Sequence, residues 1–152
     1  MPVSIARERP DTPEAMALIG ELDAYLDLLY PSESQHGFSV DQLLAEDVAF
    51  FILRYNDALV GCGGVKLFED DFAEIKRMYV RPQHRGMGFA KVMLEHLADY
   101  ARRQGILRLR LETGIYQPEA IGLYERLGFQ PIGPFGAYSA DPLSLFYEKR
   151  IA

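Results

Sequence analysis

Apolar residues recur at intervals of three and four along residues 13–29. This spacing places them on one face and predicts an amphipathic helix. Thr12 stands directly before the segment as a potential N-cap, and Pro13 suits the first helical turn. Residues 31–47 mix serine, proline and glycine with a short apolar patch, which predicts a loop with room for a second short helix.

The pattern then changes to three β-rich apolar segments at 48–55, 58–68 and 72–80, which short polar turns separate. Segments of this composition and spacing predict strands joined as an antiparallel meander. Three glycines within the second segment indicate a β-bulge or a close approach of neighbouring backbones.

Helical spacing returns after Pro82 and continues to Gly105. A strand at 107–113, a short helix at 118–126 and further strand material that ends at Arg150 follow it. The strands before and after the long helix should be parallel neighbours, because a helical crossover connects them. The predicted order is helix, three strands, helix, strand, helix and one or two strands, which is an α/β (α+β) arrangement.

Length and composition predict one globular domain over residues 1–152. The formal net charge is −6, so no global positive field draws the chain to nucleic acid or anionic lipid. One cysteine allows no intrachain disulfide, and the sequence contains neither a signal-peptide pattern nor an apolar run of about 18 residues. We therefore predict a cytoplasmic protein that binds neither nucleic acid nor membranes.

Residues 80–90 read VRPQHRGMGFA and join a predicted strand to the long helix. Backbone amides from Arg85 onward can converge at the helix N-terminus, where the dipole amounts to roughly +0.5 charge, and this favours a pyrophosphate. Glycine at 86 and 88 lets a ligand approach the backbone. The glycine pair alone also fits an ordinary turn; the Walker pattern is absent, and a Rossmann fingerprint would need glycine or alanine in place of Lys91.

Gln83-His84-Arg85-Gly86-Met87-Gly88 resembles the Q/R-x-x-G-x-G/A acyl-CoA signature of the GNAT acetyltransferases. Residues 117–129, QPEAIGLYERLGF, are similar to the family's NxxAxxLYexxGF segment, although Gln117 stands where many members have asparagine. The resemblance covers about residues 48–150. It implies the GNAT fold, a central mixed, mostly antiparallel twisted sheet of about six or seven strands flanked by helices, with a parallel strand pair splayed at the active site.

The resemblance also implies acetyl-CoA as acyl donor and an amine, on a small molecule or a peptide, as acceptor. The backbone of Met78, Tyr79 and Val80 would pair with the pantetheine arm like an added strand. The other residues expected to contact the donor are Gln83, His84, Arg85, Gly86, Met87, Gly88, Phe89, Ala90, Gln117 and Tyr124.

Tyr124 matches the family tyrosine that lies near the CoA sulfur, where a phenol can donate a proton or a hydrogen bond to the leaving thiolate. An alkyl amine of pKa near 10.4 must lose a proton before it attacks the thioester. Glu74 matches in register a glutamate that acts as the base in some members and is the first candidate here, with Glu112 second. A water relay and a lowered amine pKa are alternatives.

The loop after the first helix and the segment before the last strand shape the acceptor pocket in such proteins. The expected acceptor-facing residues are Tyr30, Ser34, His36, Phe135 and Tyr138. A weaker indication of a cationic acceptor comes from the acidic residues Glu33, Glu69, Asp70, Asp71 and Asp141.

Two other functions fit the sequence: an acyl-CoA-binding sensor without turnover, and a nucleotide-binding module unrelated to CoA. The presence of Tyr124 and Glu74 argues against the sensor. The three histidines and Cys62 show no metal-ligand spacing, so no metal is predicted. A homodimer is compatible with the resemblance, because dimers are common in the family.

Overall fold

A seven-stranded sheet organises the chain in the computed structural model, which describes residues 2–69 and 71–151. The spatial order is β1-β2-β3-β4-β5-β7-β6, and every neighbouring pair is antiparallel except β4 and β5. The strands are β1 (Val3–Arg7), β2 (Ala49–Tyr55), β3 (Ala58–Phe68), β4 (Phe72–Val80), β5 (Arg108–Gly114), β6 (Gln130–Ile132) and β7 (Ser144–Arg150). The helices are α1 (Pro13–Asp27), α2 (Val40–Ala45), α3 (Phe89–Arg103) and α4 (Pro118–Arg126).

Capping residues set the starts of the first two helices. The Thr12 side chain accepts a hydrogen bond from the Ala15 amide at 3.1 Å, and Pro13 occupies the first turn of α1. In α2, Ser39 and Gln42 form a reciprocal capping box. α3 differs, because its N-cap is Gly88, which offers no side chain to its first amides.

The two faces of the sheet are covered by different helices. α3 packs Met93, Leu97 and Ala101 on one face, in a cluster that also takes in Tyr124 of α4. α1 and α2 cover part of the opposite face with buried leucine and isoleucine side chains. The C-terminal part of that opposite face carries a third cluster, built around Phe72.

β4 is irregular at Arg77, within its second half. The pairing of β3 with β4 shifts between Cys62 and Gly64, and Arg77 has a φ of 55°. A positive φ at a non-glycine residue together with a register shift identifies a β-bulge. A Cβ at Gly61 would collide with the Tyr79 carbonyl, so the glycines of β3 permit the close approach that the sequence indicated.

β4 and β5 are paired over a short stretch only. Ala73 pairs with Leu109 and Glu74 with Arg110, and the ladder ends there. The β5-facing edge of residues 75–80 therefore has no strand partner within the described ranges. This splayed parallel pair confirms the architecture that the family resemblance implied.

Most predicted elements are confirmed, but the first strand was missed. The predicted order began with a helix, whereas β1 precedes α1 and pairs antiparallel with β2. Only Val3 and Ile5 of β1 are partly buried, so this edge strand presents too short an alternation to be recognised in isolation. Across the described ranges, no helix is both long and apolar enough to cross a membrane.

Candidate functional site

A groove of about 460 Å³ opens where β4 and β5 part. We call it the donor groove. It is bounded by the end of β4, the loop that leads into α3, the start of α3 and the exposed side of α4. Its volume falls within the range of roughly 300–1,000 Å³ that is usual for ligand pockets.

The loop before α3 directs unpaired backbone amides at this groove. Gly86 and Gly88 have φ values of 80° and 83°, a left-handed conformation that side chains other than glycine rarely adopt. The amides of residues 86–91 donate to no backbone or side-chain acceptor in the described part of the chain. Such a set of donors at a helix N-terminus is suited to a phosphate or pyrophosphate.

Arg85 lies beside these amides. Its Nε donates to the Val80 carbonyl at 2.9 Å, and its guanidinium lies 5.6 Å from the centre of the Tyr25 ring and 5.8 Å from that of Tyr79. The side chain is thereby held at the groove with a positive charge available to an anion.

A second, smaller cavity of about 100 Å³ lies beside the donor groove, and we call it the acceptor chamber. Its walls come from the loop after α1, from β4 and β5, and from Tyr138 of the β6–β7 loop. The residues that line both cavities are Leu22, Met78, Gln117 and Tyr124. A molecule in the groove can therefore meet a molecule in the chamber at these four side chains.

Tyr124 occupies this junction. The residue is 7% exposed, yet its hydroxyl makes no hydrogen bond to any described residue and is not among the fully buried unsatisfied atoms. The hydroxyl thus faces the cavities. Burial, followed by the nearby charge of Glu112, raises the pKa of Tyr124 to about 12, so the phenol stays protonated at neutral pH.

Glu74 is engaged in a buried triangle of polar groups. Lys76 Nζ lies 3.0 Å from Glu74 Oε2 and donates to the Tyr138 hydroxyl oxygen at 2.9 Å. The Tyr138 hydroxyl in turn donates to Glu74 Oε2. The side chains of Glu74 and Lys76 are 4% and 6% exposed, so this pair is shielded from water.

Glu112 faces the same chamber without an ionic partner. It is half-buried and forms no salt bridge with any residue in the described ranges. Burial raises the pKa of Glu112 above the ordinary glutamate value, and the Ser144 hydroxyl, His36 and Lys76 counteract this rise only in part. A carboxylate in this state is a stronger base than an exposed one.

Ser144 lies on the neighbouring strand, close to Glu112. Gly114 pairs with Ser144 and Glu112 with Phe146, so Glu112 and Ser144 are diagonal neighbours across β5 and β7. The Ser144 Oγ is buried and makes no hydrogen bond to any described residue, although its proximity lowers the pKa of Glu112. Its hydroxyl is therefore free to act on Glu112 alone.

Two loops close the chamber and are fastened to each other. His36 Nε2 lies 3.2 Å from Asp141 Oδ2, which links the loop after α1 to the β6–β7 loop. The Tyr30 hydroxyl donates to Gln117 Oε1 at 3.2 Å and accepts from the Tyr116 amide at 3.0 Å. Gln117, which was expected to contact the donor, thus also holds Tyr30 in place through its side-chain oxygen.

The structure brings most of the predicted site residues together. The donor groove is lined by the predicted residues Met78, Tyr79, Val80, His84, Arg85, Gly86, Gly88, Phe89, Ala90, Gln117 and Tyr124. The acceptor chamber is lined by the predicted residues Tyr30, Ser34, His36, Tyr138, Glu74, Glu112 and Tyr124.

Three predicted residues, Gln83, Met87 and Phe135, lie outside the lining of the two cavities. Gln83 and Met87 do not line the groove, because Met87 is 54% exposed at the tip of the loop and Gln83 belongs to the short turn before it. Phe135 does not line the chamber, because it packs in the cluster with Phe72 and Phe146 beneath Tyr138.

Some lining residues were missed. Lys91 of α3 and Arg126 of α4 also border the groove, as do Leu22 and Tyr25 of α1. The helical patterns gave no indication of which residue on an exposed helix face would turn toward the splayed strands.

The acidic residues that suggested a cationic acceptor lie in different surroundings. Asp141 pairs with His36, and Asp71 pairs with Arg108 at the start of β5. Glu33 and Glu69 are exposed and line neither cavity. Asp70 lies outside the described residues.

Known proteins resemble this chain in sequence and in fold. Residues 16–129 match the model of the acetyltransferase (GNAT) family. The chain is 45% identical to the IAA acetyltransferase of Azospirillum brasilense over an alignment of 148 residues, and this alignment covers 97% of each protein. A solved structure from Klebsiella pneumoniae, described as an acyl-CoA N-acyltransferase, has 38% identity and a TM-score of 0.84 over 99% of this chain and 98% of its own. A GNAT acetyltransferase from Elizabethkingia anophelis, crystallised with acetyl-CoA bound, shares the fold at 17% identity, with a TM-score of 0.74 over 98% of both chains.

Proposed function

The chain belongs to the acetyltransferase (GNAT) family, and from this membership we propose that it transfers the acetyl group of acetyl-CoA to an amine by direct attack in a ternary complex. The observation that carries the proposal is the junction at Tyr124, where the donor groove meets the acceptor chamber. The donor groove is suited to a phosphate-bearing donor, and the acceptor chamber contains Glu112, which has no ion pair with any described residue. The two cavities meet at the Tyr124 phenol.

The donor groove supplies the contacts that acetyl-CoA requires. The amides of residues 86–91 and the Arg85 guanidinium bind the pyrophosphate. The unpaired edge of β4 at residues 78–80 offers backbone groups to the pantetheine amides, as a further strand would. The thioester then lies at Tyr124, where the two cavities meet.

Within the chamber, we assign the role of base to Glu112 in place of Glu74. Glu74 is held by Lys76 and Tyr138, and both contacts occupy its Oε2 atom in a site that is nearly closed to water. Glu112 has no ion pair with any described residue and a raised pKa, so it can accept the proton that an alkylammonium must lose. Tyr124, with a pKa of about 12, donates a hydrogen bond to the departing sulfur and keeps its own proton, because a thiol has a pKa of only about 8.5.

Titration of the purified protein with acetyl-CoA, CoA and ADP by calorimetry, followed by thiol-release assays over a panel of amines, tests the proposal. We expect acetyl-CoA to bind and at least one amine to release free CoA. Acetyl-CoA binding without thiol release from any amine would favour a sensor, and an absence of acetyl-CoA binding would refute the donor assignment.

Replacing Gly88 by alanine should weaken acetyl-CoA binding. A Cβ at this position would meet no atom within 4 Å, so the effect comes from the positive φ alone. Holding alanine in this conformation costs roughly 1–2 kcal/mol, so the free loop relaxes and the dissociation constant rises roughly 5- to 30-fold. Calorimetry measures this dissociation constant. The matched control is Gly133→Ala, because a Cβ at Gly133 would also meet no atom within 4 Å but Gly133 has no positive φ.

Tyr124→Phe should lower kcat roughly 10- to 100-fold, because one hydrogen bond to a charged sulfur is lost in the transition state. The dissociation constant for acetyl-CoA should stay nearly unchanged, since the ring still fills its site. Tyr147→Phe is the control, because its hydroxyl donates to Glu125 and the residue lines neither cavity. Equal losses of kcat in both variants would contradict the role given to Tyr124.

Ser144→Ala should raise the pKa of Glu112, because the Ser144 hydroxyl lowers it. The acidic limb of the kcat/KM pH profile should therefore move to higher pH. Ser144→Thr keeps a hydroxyl, and a cavity of about 240 Å³ beside residue 144 has room for its methyl group. A limb that stays in place with alanine, or that moves equally with threonine, would show that Ser144 does not act on Glu112.

A further inference from the structure

Within the described residues, the ionisable side chains His36, Glu74, Lys76 and Arg77 of the acceptor chamber each have a partner of opposite type, and Glu112 is the exception. Lys76 pairs with Glu74, Arg77 with Asp23, and His36 with Asp141. Glu112 alone forms no ion pair within residues 2–69 and 71–151. The chamber therefore presents one uncompensated negative charge to whatever enters it.

The two permanent cations that line the chamber are not available to an acceptor. Lys76 Nζ directs donors at Glu74 and Tyr138, and it lies 3.9 Å from the centre of the Phe38 ring. These three contacts use the whole donor capacity of an ammonium group.

Arg77 is nearly inaccessible, because its side chain is only 4% exposed. It donates from one terminal nitrogen to Asp23 and to the Ile19 carbonyl, and the other terminal nitrogen lies against Gly37. Its Nε is buried out of contact with solvent. Among the described lining residues, both permanent cations are thus ion-paired and nearly inaccessible, so an acceptor carboxylate would face Glu112 with little compensation.

The rest of the chamber suits a cation. Tyr30, His36, Tyr124 and Tyr138 supply aromatic surface to its walls. Aromatic faces attract an ammonium group, most strongly where water is excluded. The volume of about 100 Å³ limits the acceptor to a compact molecule.

On the basis of the proposed acetyl transfer, we propose that the acceptor is a compact amine with one positive charge and no carboxylate, and that Glu112 binds its ammonium group. Glu112 takes one proton from the ammonium and passes it to solvent. The nitrogen lone pair then forms the C–N bond as the C–S bond breaks and its electrons go to sulfur. The second proton lost from nitrogen leaves with CoA as its thiol, so the products are the N-acetyl amine, CoA and one released proton.

Three compounds that differ at a single position test this assignment: 2-phenylethylamine, phenylalaninamide and phenylalanine. Each is titrated by calorimetry into the protein saturated with CoA, and each is assayed for thiol release with acetyl-CoA. We expect phenylethylamine and phenylalaninamide to bind and phenylalanine to bind about 100-fold more weakly, because its carboxylate is buried beside Glu112 without a partner.

Glu112→Gln should weaken phenylethylamine binding to the CoA complex by at least about tenfold, since the ammonium loses its ionic partner. Glu33→Gln is the matched control: it makes the same change in net charge at an exposed residue near the chamber. An equal effect of both variants would show that a long-range field, and not Glu112, attracts the amine, and would overturn the proposal.

The outcomes separate this proposal from the proposed function. Phenylalanine binding as tightly as phenylethylamine overturns the acceptor class while acetyl transfer stands. If phenylalaninamide is rejected together with phenylalanine, the bulk of the substituent and not its charge determines binding, and the proposed acceptor class is overturned. A failure of all three compounds to bind also overturns it. Binding of phenylethylamine without thiol release supports the acceptor class and refutes acetyl transfer to it.

Discussion

Glu112→Gln is expected to lower kcat/KM at neutral pH by roughly 10²–10⁴-fold, the usual contribution of a general base. Glutamine fills the same space but cannot accept the proton of an alkylammonium. The loss should shrink as the pH approaches the amine pKa of about 10.4, because the free base then binds directly. Initial rates of thiol release between pH 6 and pH 10 measure both effects.

The same variant should not destabilise the fold. Because burial raises the pKa of Glu112, its charge opposes folding at pH values above the folded-state pKa. This destabilisation decreases as the pH falls toward the ordinary pKa of glutamate. It disappears below that pKa, where Glu112 is protonated in the folded and in the unfolded state. Glu112→Gln should therefore match or exceed the parent Tm at pH 8 and equal it near pH 4. A Tm that falls at pH 8 would mean that the lost activity reflects lost structure.

Glu74→Gln should have the opposite signature, a loss of stability. The change removes the carboxylate that pairs with Lys76 in a site where both side chains are nearly inaccessible. Leaving a buried ammonium without its partner destabilises a protein by about 3–5 kcal/mol. For a chain of this size that corresponds to a Tm lower by roughly 6–20 °C, measurable by calorimetric scanning.

The double variant Glu74→Gln with Lys76→Met is the control for this explanation. It removes both charges, so most of the stability that the single variant loses should return. If Glu74→Gln instead keeps its Tm and loses turnover, Glu74 is the base that the sequence first indicated, and the role given to Glu112 is wrong.

The sequence predicted the fold well because its long elements carry strong local signals. The periodic face of α1, the cap at Thr12 and the three apolar strand segments each indicated their structure without tertiary information. β1 was missed because an edge strand needs few buried residues, and its partner β2 lies more than forty positions away in the chain.

The sequence also indicated the loop that borders the groove, whereas it did not indicate how the charged groups of the chamber are paired. Two glycines before a helix indicate an anion site through local chemistry alone. Glu74 and Lys76 are two positions apart on one strand, so their pairing could have been suspected from spacing. Tyr138, which completes the triangle, belongs to a loop without periodicity, and only the folded chain shows that it secures Glu74.

The bulge at Arg77 reverses the alternation of side chains between the two faces of the sheet along β4. Before the bulge, Ala73 and Ile75 face α3; after it, Met78 and Val80 do, while Tyr79 faces α1. Even-numbered positions therefore change sides within one strand. Substitutions at 74 and 76 change the lining of the acceptor chamber and leave the side-chain alternation at 78–80, which borders the donor groove, as it is. Deleting one residue here would instead invert one half of the site relative to the other.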